Sequence, residues 1–139
     1  MVCVSWTQAA EFARWAGARL PTEAEWEFAT VGAAGRSWPW GSAGPSCSRA
    51  VMGGCGLNAP QPPCSTPDGA TPEGVCDLAG NVWEWVQDEY REGGGPADPG
   101  VRVARGGSWG VASGVSDVRR RYRLRASVRA DVLGFRLAR

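Results

Sequence analysis

Arg19-Leu20-Pro21-Thr22-Glu23-Ala24-Glu25-Trp26-Glu27 opens a helix and carries its own start signal. Thr22 and Glu25 have capping-box spacing, in which the hydroxyl accepts from the Glu25 amide and the carboxylate accepts from the Thr22 amide. Such a cap typically contributes about 1 kcal/mol. The acidic run in the first turn suits the helix dipole, and Gly32 is the expected stop. Upstream, Ser5 to Gly17 reads as a second helix. Thr7 is its candidate N-cap, Ala10, Phe12, Ala13 and Trp15 its apolar face, and Gly17 its left-handed end.

Downstream, Gly32 to Pro72 is rich in Gly, Pro, Ser and Cys, so long regular elements are not expected there. A long irregular stretch in a small domain needs fastening. Val75 to Val86 mixes apolar and polar residues around Gly80-Asn81, and Glu89 to Gly100 reads as a surface loop. Val101-Arg102-Val103-Ala104-Arg105 alternates with period two, as a half-buried strand does. Leu133 to Ala138 is expected to form a last short strand.

The 139 residues suit a single domain. Fifteen basic against fourteen acidic residues give a net charge of +1, which argues against a protein built to neutralise nucleic acid or anionic lipid. No apolar run is long enough to insert in a membrane. Histidine is absent, which removes the usual general base at neutral pH and the commonest imidazole metal ligand. All fifteen cations are arginine, and Arg119, Arg120, Arg121, Arg123, Arg125 and Arg129 crowd one stretch. They form either structural ion pairs or a ligand-facing surface.

The five cysteines lack the paired spacing of a zinc site. Their clustering in the loop-rich middle favours disulfides Cys47–Cys55 and Cys64–Cys76, each closing a short loop, with reduced thiols as the alternative. Cys3 is the odd residue and is expected to be free. Disulfides would favour a secreted or cell-surface location, although thermophile cytosols also permit them.

Several segments together resemble the formylglycine-generating enzyme, or sulfatase-modifying-factor, family. They are Val4-Ser5-Trp6, Arg19 to Glu27, Pro39-Trp40-Gly41, Asp77-Leu78-Ala79-Gly80-Asn81-Val82-Trp83-Glu84-Trp85, Arg105-Gly106-Gly107-Ser108-Trp109, and Gly134-Phe135-Arg136. The resemblance spans nearly the whole chain. It implies an α+β, C-type-lectin-like fold of the formylglycine-generating enzyme type: two helices around a small twisted antiparallel sheet, loop-rich. Residues 1–139 would be one such domain, its C-terminal part or a minimal version.

The family's copper-dependent oxidases use two cysteines shortly after the Gly-Gly-Ser-aromatic motif. Those positions fall on Val111 and Ser116, so the thiolate pair that would hold copper(I) is absent and no copper is expected. Relatives that use histidine-bound iron resemble this chain too, and the missing histidines exclude that chemistry here. By the same resemblance, Asp77 and Glu84 would offer side-chain oxygens, and Gly80 and Val82 backbone carbonyls, to a structural calcium ion. The alternative is that Asn81 and Glu84 simply hydrogen-bond the loop. A second family calcium site needs an asparagine near Ala50-Val51-Met52, where none stands.

Between Trp109 and Leu133 the family character is lost. In diversity-generating retroelements, whose target proteins resemble this chain in fold, adenine-directed mutagenesis acts on AAC codons near the C-terminus. Every residue from Gly110 to Val132 is reachable from AAC by changing its two adenines, and Glu, Gln, Lys, Met and Trp do not occur there. The resemblance implies a frame held by Trp109, Gly134 and Phe135. The displayed ligand surface would comprise Gly110, Val111, Ser113, Gly114, Ser116, Asp117, Arg119, Arg121, Tyr122, Arg123, Arg125, Arg129 and Asp131. Its partner would be a protein or surface ligand, and no reaction would occur. The alternatives are drift in a degenerate relative, a family enzyme of unrecognised chemistry, and a structural or regulatory module.

Overall fold

The computed structural model describes residues 1–112 and 118–139. Ser113, Gly114, Ser116 and Asp117, named above as display residues, lie outside the described residues. The two helices form where the caps place them, with one correction. Helix α1, Trp6–Trp15, is capped by Ser5 rather than Thr7. Ser5 is extended, at φ −73° and ψ 164°, and Gln8 stands three residues later. Its side chain accepts from the Gln8 amide at 3.3 Å while the Gln8 side chain accepts from the Ser5 amide at 3.1 Å. Thr7 already lies inside the first turn. At the other end Gly17 has φ 66°, and the Gly17 and Ala18 amides donate to the Arg14 and Ala13 carbonyls, which satisfies the last turn. Helix α2, Glu23–Val31, has the expected Thr22–Glu25 box and ends at Gly32, φ 65°.

Four strands form one sheet in the order β3-β2-β1-β4: β1 is Trp83–Arg91, β2 Ala97–Arg105, β3 Tyr122–Arg125 and β4 Leu133–Phe135. The β1–β2 and β2–β3 pairs are antiparallel, but β4 lies parallel to β1, so the sheet is mixed rather than antiparallel. The chain between β1 and β4 is long enough to return in the same direction. Glu89 to Gly100 is not one loop: β1 runs into it as far as Arg91, and β2 starts at Ala97. Those strand ends face solvent and carry polar residues, which hides them from an apolar-pattern reading. The last strand is also shorter than expected, with Ala138 making only an isolated bridge to Arg19.

The sheet separates two apolar clusters, following the strand alternation of side chains. One joins Ala9 and Ala13 of α1 to Trp83, Trp85, Ala104, Leu133 and Leu20. The other joins Trp26 of α2 to Leu78, Ala79, Val86, Val103 and Val118. Arg105 continues the face of β2 that carries Val101 and Val103 and is only 2% exposed, so a charged residue occupies the apolar phase. Both disulfides form as expected, Cys47–Cys55 and Cys64–Cys76, with Cα atoms 5.5 and 5.2 Å apart. Cys3 is free and exposed. Among the described residues no helix is long and apolar enough to cross a membrane.

Candidate functional site

The segment from Gly110 to Val132 divides by what each residue touches. Val111 is half-buried, and its carbonyl accepts from the Gly53 amide at 2.7 Å. Ala112 bridges Gly53 in parallel. Val118 is buried in the α2 cluster. Tyr122 stacks on Trp83 with ring centroids 4.8 Å apart, and Leu124, Val128, Ala130 and Val132 pack against the α1 cluster. Arg121 grips Glu23 with two hydrogen bonds, of 2.6 and 2.9 Å, and donates to the Arg91 carbonyl. That grip on Glu23 raises the Arg121 pKa above its ordinary value. Arg123 pairs with Asp98 at 2.8 Å, and both Arg121 and Arg123 lie over the Tyr90 ring.

These contacts limit the display set read from the sequence. Arg121, Tyr122 and Arg123 are committed to the domain itself, because each side chain meets a partner from a neighbouring element, and Val111 is tied to Gly53 through its backbone. Gly110, Arg119, Arg120, Arg125, Arg129 and Asp131 are exposed. Among the described residues the side chains of Arg120, Arg125 and Arg129 meet no hydrogen-bond or ion-pair partner.

A second site lies around the Asp77–Glu84 loop. Asp77, Gly80 and Asn81 all have left-handed backbone, φ 57°, 79° and 60°, which folds the loop tightly. Only glycine fits at position 80, since an added Cβ would overlap the Val51 carbonyl. Asn81 locks the neighbouring wall, accepting from the Gln61 amide at 2.9 Å and donating to the Gln61 carbonyl at 3.1 Å. Asp77, Asn81, Val82 and Glu84 line one cleft of about 700 Å³, together with Pro60 to Cys64, Cys76, Phe135 and Arg136. Burial pushes the Asp77 carboxyl up, against the lowering influence of the Cys64 amide and of Arg136.

Glu84, buried at 6% exposure, accepts from Trp26 Nε1 at 2.7 Å and from Arg136 through Nε at 2.6 Å and Nη2 at 2.8 Å. Arg136 Nη2 also donates to the Cys76 and Asp77 carbonyls, at 3.0 and 3.3 Å. Burial works against the Arg136 charge, yet the attraction and hydrogen bond of Glu84 outweigh it and leave its pKa raised. Among the described residues no three His, Cys, Asp or Glu side chains converge on a metal position. A cation here would need Asp77 and Glu84 together with carbonyls and water, and would share Glu84 with Arg136. The oxygen-only donor set suits a hard cation.

Sequence reasoning missed Trp26, Glu23, Arg105 and Arg136 as organising residues. Arg105 binds Glu23 at 2.8 Å and Glu27 at 3.5 Å, donates to the Val118 carbonyl, and lies over the Trp26 ring. The usable signal was their place inside the quoted motifs, where a polar residue stands among aromatics and glycines.

Two helices, a small mixed sheet, two disulfides and long ordered loops define an α+β domain of the C-type-lectin-like kind, with its sites in loops. The chain belongs to the sulfatase-modifying factor enzyme 1-like domain family, which matches residues 1–139. It is 41% identical to hercynine oxygenase of Mycolicibacterium smegmatis over 81% of the chain and 31% of that protein. It is 36% identical to inactive C-alpha-formylglycine-generating enzyme 2 of Bos taurus, over 99% of the chain and 49% of that protein. The chain thus spans between about a third and a half of these relatives. Variable protein 1 of Treponema denticola has a similar structure, with TM-score 0.71 and 33% identity over 86% of this chain and 46% of that one.

Proposed function

We propose that this chain is a non-catalytic binding domain that displays a variable C-terminal surface for a protein or surface ligand. The observation that carries this reading is the division of residues 110–132. Val118, Leu124 and Val132 are spent on the core, while the Arg120, Arg125 and Arg129 side chains project without partners among the described residues. Exposed arginines and aromatics supply much of the energy of protein recognition. The likeness to a variable protein and to a relative named as inactive supports the same reading. So does the chemistry of the chain, which has no histidine and no cysteine beyond Cys76. The composition of the segment, entirely reachable from AAC codons, ties the reading to a diversity-generating retroelement.

Two experiments test it. Sequencing the flanking DNA should find a template repeat that differs from the 110–132 codons at adenines, beside a reverse-transcriptase gene. Their absence rejects the retroelement origin. Incubation with a cysteine-containing sulfatase peptide and copper should leave the peptide unchanged by mass spectrometry, and formylglycine would establish an enzyme instead.

For the cleft we propose a structural calcium ion held by Asp77 and Glu84 with the Gly80 and Val82 carbonyls. The support is that Asp77, Val82 and Glu84 line one cleft beside a loop of left-handed residues. At a hundred times its Kd such an ion stabilises by about 2.7 kcal/mol. Equal melting temperatures in calcium and in chelator, with no calorimetric binding, reject it.

A further inference from the structure

We propose that the Cys64–Cys76 disulfide is a redox gate on the Asp77–Arg136 cleft, opened by thiol–disulfide exchange with a dithiol. The two disulfides are placed differently. Cys64 and Cys76 both line the cleft, whereas neither Cys47 nor Cys55 does. One wall of the cleft is the Pro60–Cys64 segment, and the floor is the Asp77–Glu84 loop with Arg136.

Three ties hold wall to floor. The first is the covalent Cys64–Cys76 bond. The second is the Cys64 amide, which donates to Asp77 Oδ2 at 2.8 Å. The third is the reciprocal Gln61–Asn81 pair. Each hydrogen bond contributes about 0.5–1.5 kcal/mol net. Ordering one backbone residue costs about 1–2 kcal/mol. Three such bonds therefore do not hold the five-residue Pro60–Cys64 wall once the covalent tie is cut. The floor depends on the same crosslink from its other end, because Arg136 reaches the Cys76 and Asp77 carbonyls next to it.

The chemistry is reversible. Cys64 is exposed while Cys76 is half-buried, so an incoming thiolate meets the Cys64 sulfur first. It forms a mixed disulfide there and expels Cys76 as thiolate. The second thiol of the dithiol then attacks its own mixed-disulfide sulfur and releases Cys64. Two electrons pass from the dithiol, which leaves as a disulfide, to the protein, which gains two thiols. The sheet and both apolar clusters lie outside this exchange, so the fold persists while the cleft loses a wall. The inference does not rest on a bound cation.

The test uses the full chain carrying Cys47→Ser and Cys55→Ser, so that only one crosslink can be reduced. Hydrogen exchange is followed by mass spectrometry before and after dithiothreitol. Exchange at the Gln61 and Cys64 amides, which donate across the cleft, should rise about tenfold or more on reduction, while amides of β1 and β2 change by less than about twofold. Unchanged protection at Gln61 and Cys64 overturns the gate. So does loss of sheet protection in step with them, which would make the crosslink a staple of the whole fold. If the doubly substituted chain does not fold, the unsubstituted protein at graded dithiothreitol gives the same readout, and the same two outcomes overturn the proposal.

Discussion

Arg105 and Arg136 stand inside the domain, while Arg120, Arg125 and Arg129 stand in solvent, and the two groups do opposite things with the same side chain. Arg105 is 2% exposed and joins the start of α2 to β2 through Glu23 and Glu27. Arg136 closes the Glu84 loop against β4. Each planar guanidinium satisfies carboxylate and carbonyl acceptors from different elements, which a point charge on a lysine would do less well. The exposed three are not held in this way. The difference teaches that arginine content alone says nothing about ligand binding here, because β3 mixes both uses. Arg121 and Arg123 belong to the frame, and Arg125 stands exposed.

The largest effect that could break this contrast is expected at Arg105. Arg105→Ala opens a cavity beside the Trp26 ring and takes the donor from the Val118 carbonyl, while Glu23 keeps Arg121, and should cost about 2–3 kcal/mol in urea denaturation. A loss below about 1 kcal/mol would show that the buried network is not what holds α2 to the sheet. Arg121→Ala should cost less, about 1 kcal/mol, since its grip on Glu23 is partly open to solvent. It tests whether the middle of the segment is frame.

The Arg19–Glu25 pair is an exposed arginine that nevertheless has a partner, at 2.6 Å. The Arg19 hydrogen bond, then the Thr22 amide, hold the Glu25 carboxyl down from 4.5 to about 2. Because the folded pKa is depressed, the stability it contributes is present above pH 4.5 and is lost as pH falls towards 2. Glu25→Gln should therefore flatten the fall in melting temperature across that window, and a carboxylate NMR titration near 4.5 would contradict the pairing. The smallest effect is expected for Arg120→Ser, Arg125→Ser and Arg129→Ser, each within about 0.5 kcal/mol of the parent. Larger losses would move these residues from display to frame.

Local chemistry was legible from the residues alone. The Thr22–Glu25 cap, the glycine stops at Gly17 and Gly32, and the two short disulfide loops depend on partners a few residues apart along the chain. So did the family, through motifs whose order needs no coordinates. The shift of the α1 cap from Thr7 to Ser5 is an error of the same local kind, settled by which residue has Gln8 three positions ahead. The parallel pairing of β4 with β1, the strand at Tyr122–Arg125 and the burial of Arg105 were decided only by tertiary structure. Whether a strand residue faces core or solvent depends on what packs over it from elsewhere in the chain. The same reason governs the proposed display surface: composition could mark residues 110–132 as unusual, but only packing against Trp83, Glu23 and Tyr90 could separate side chains that build the domain from those left in solvent.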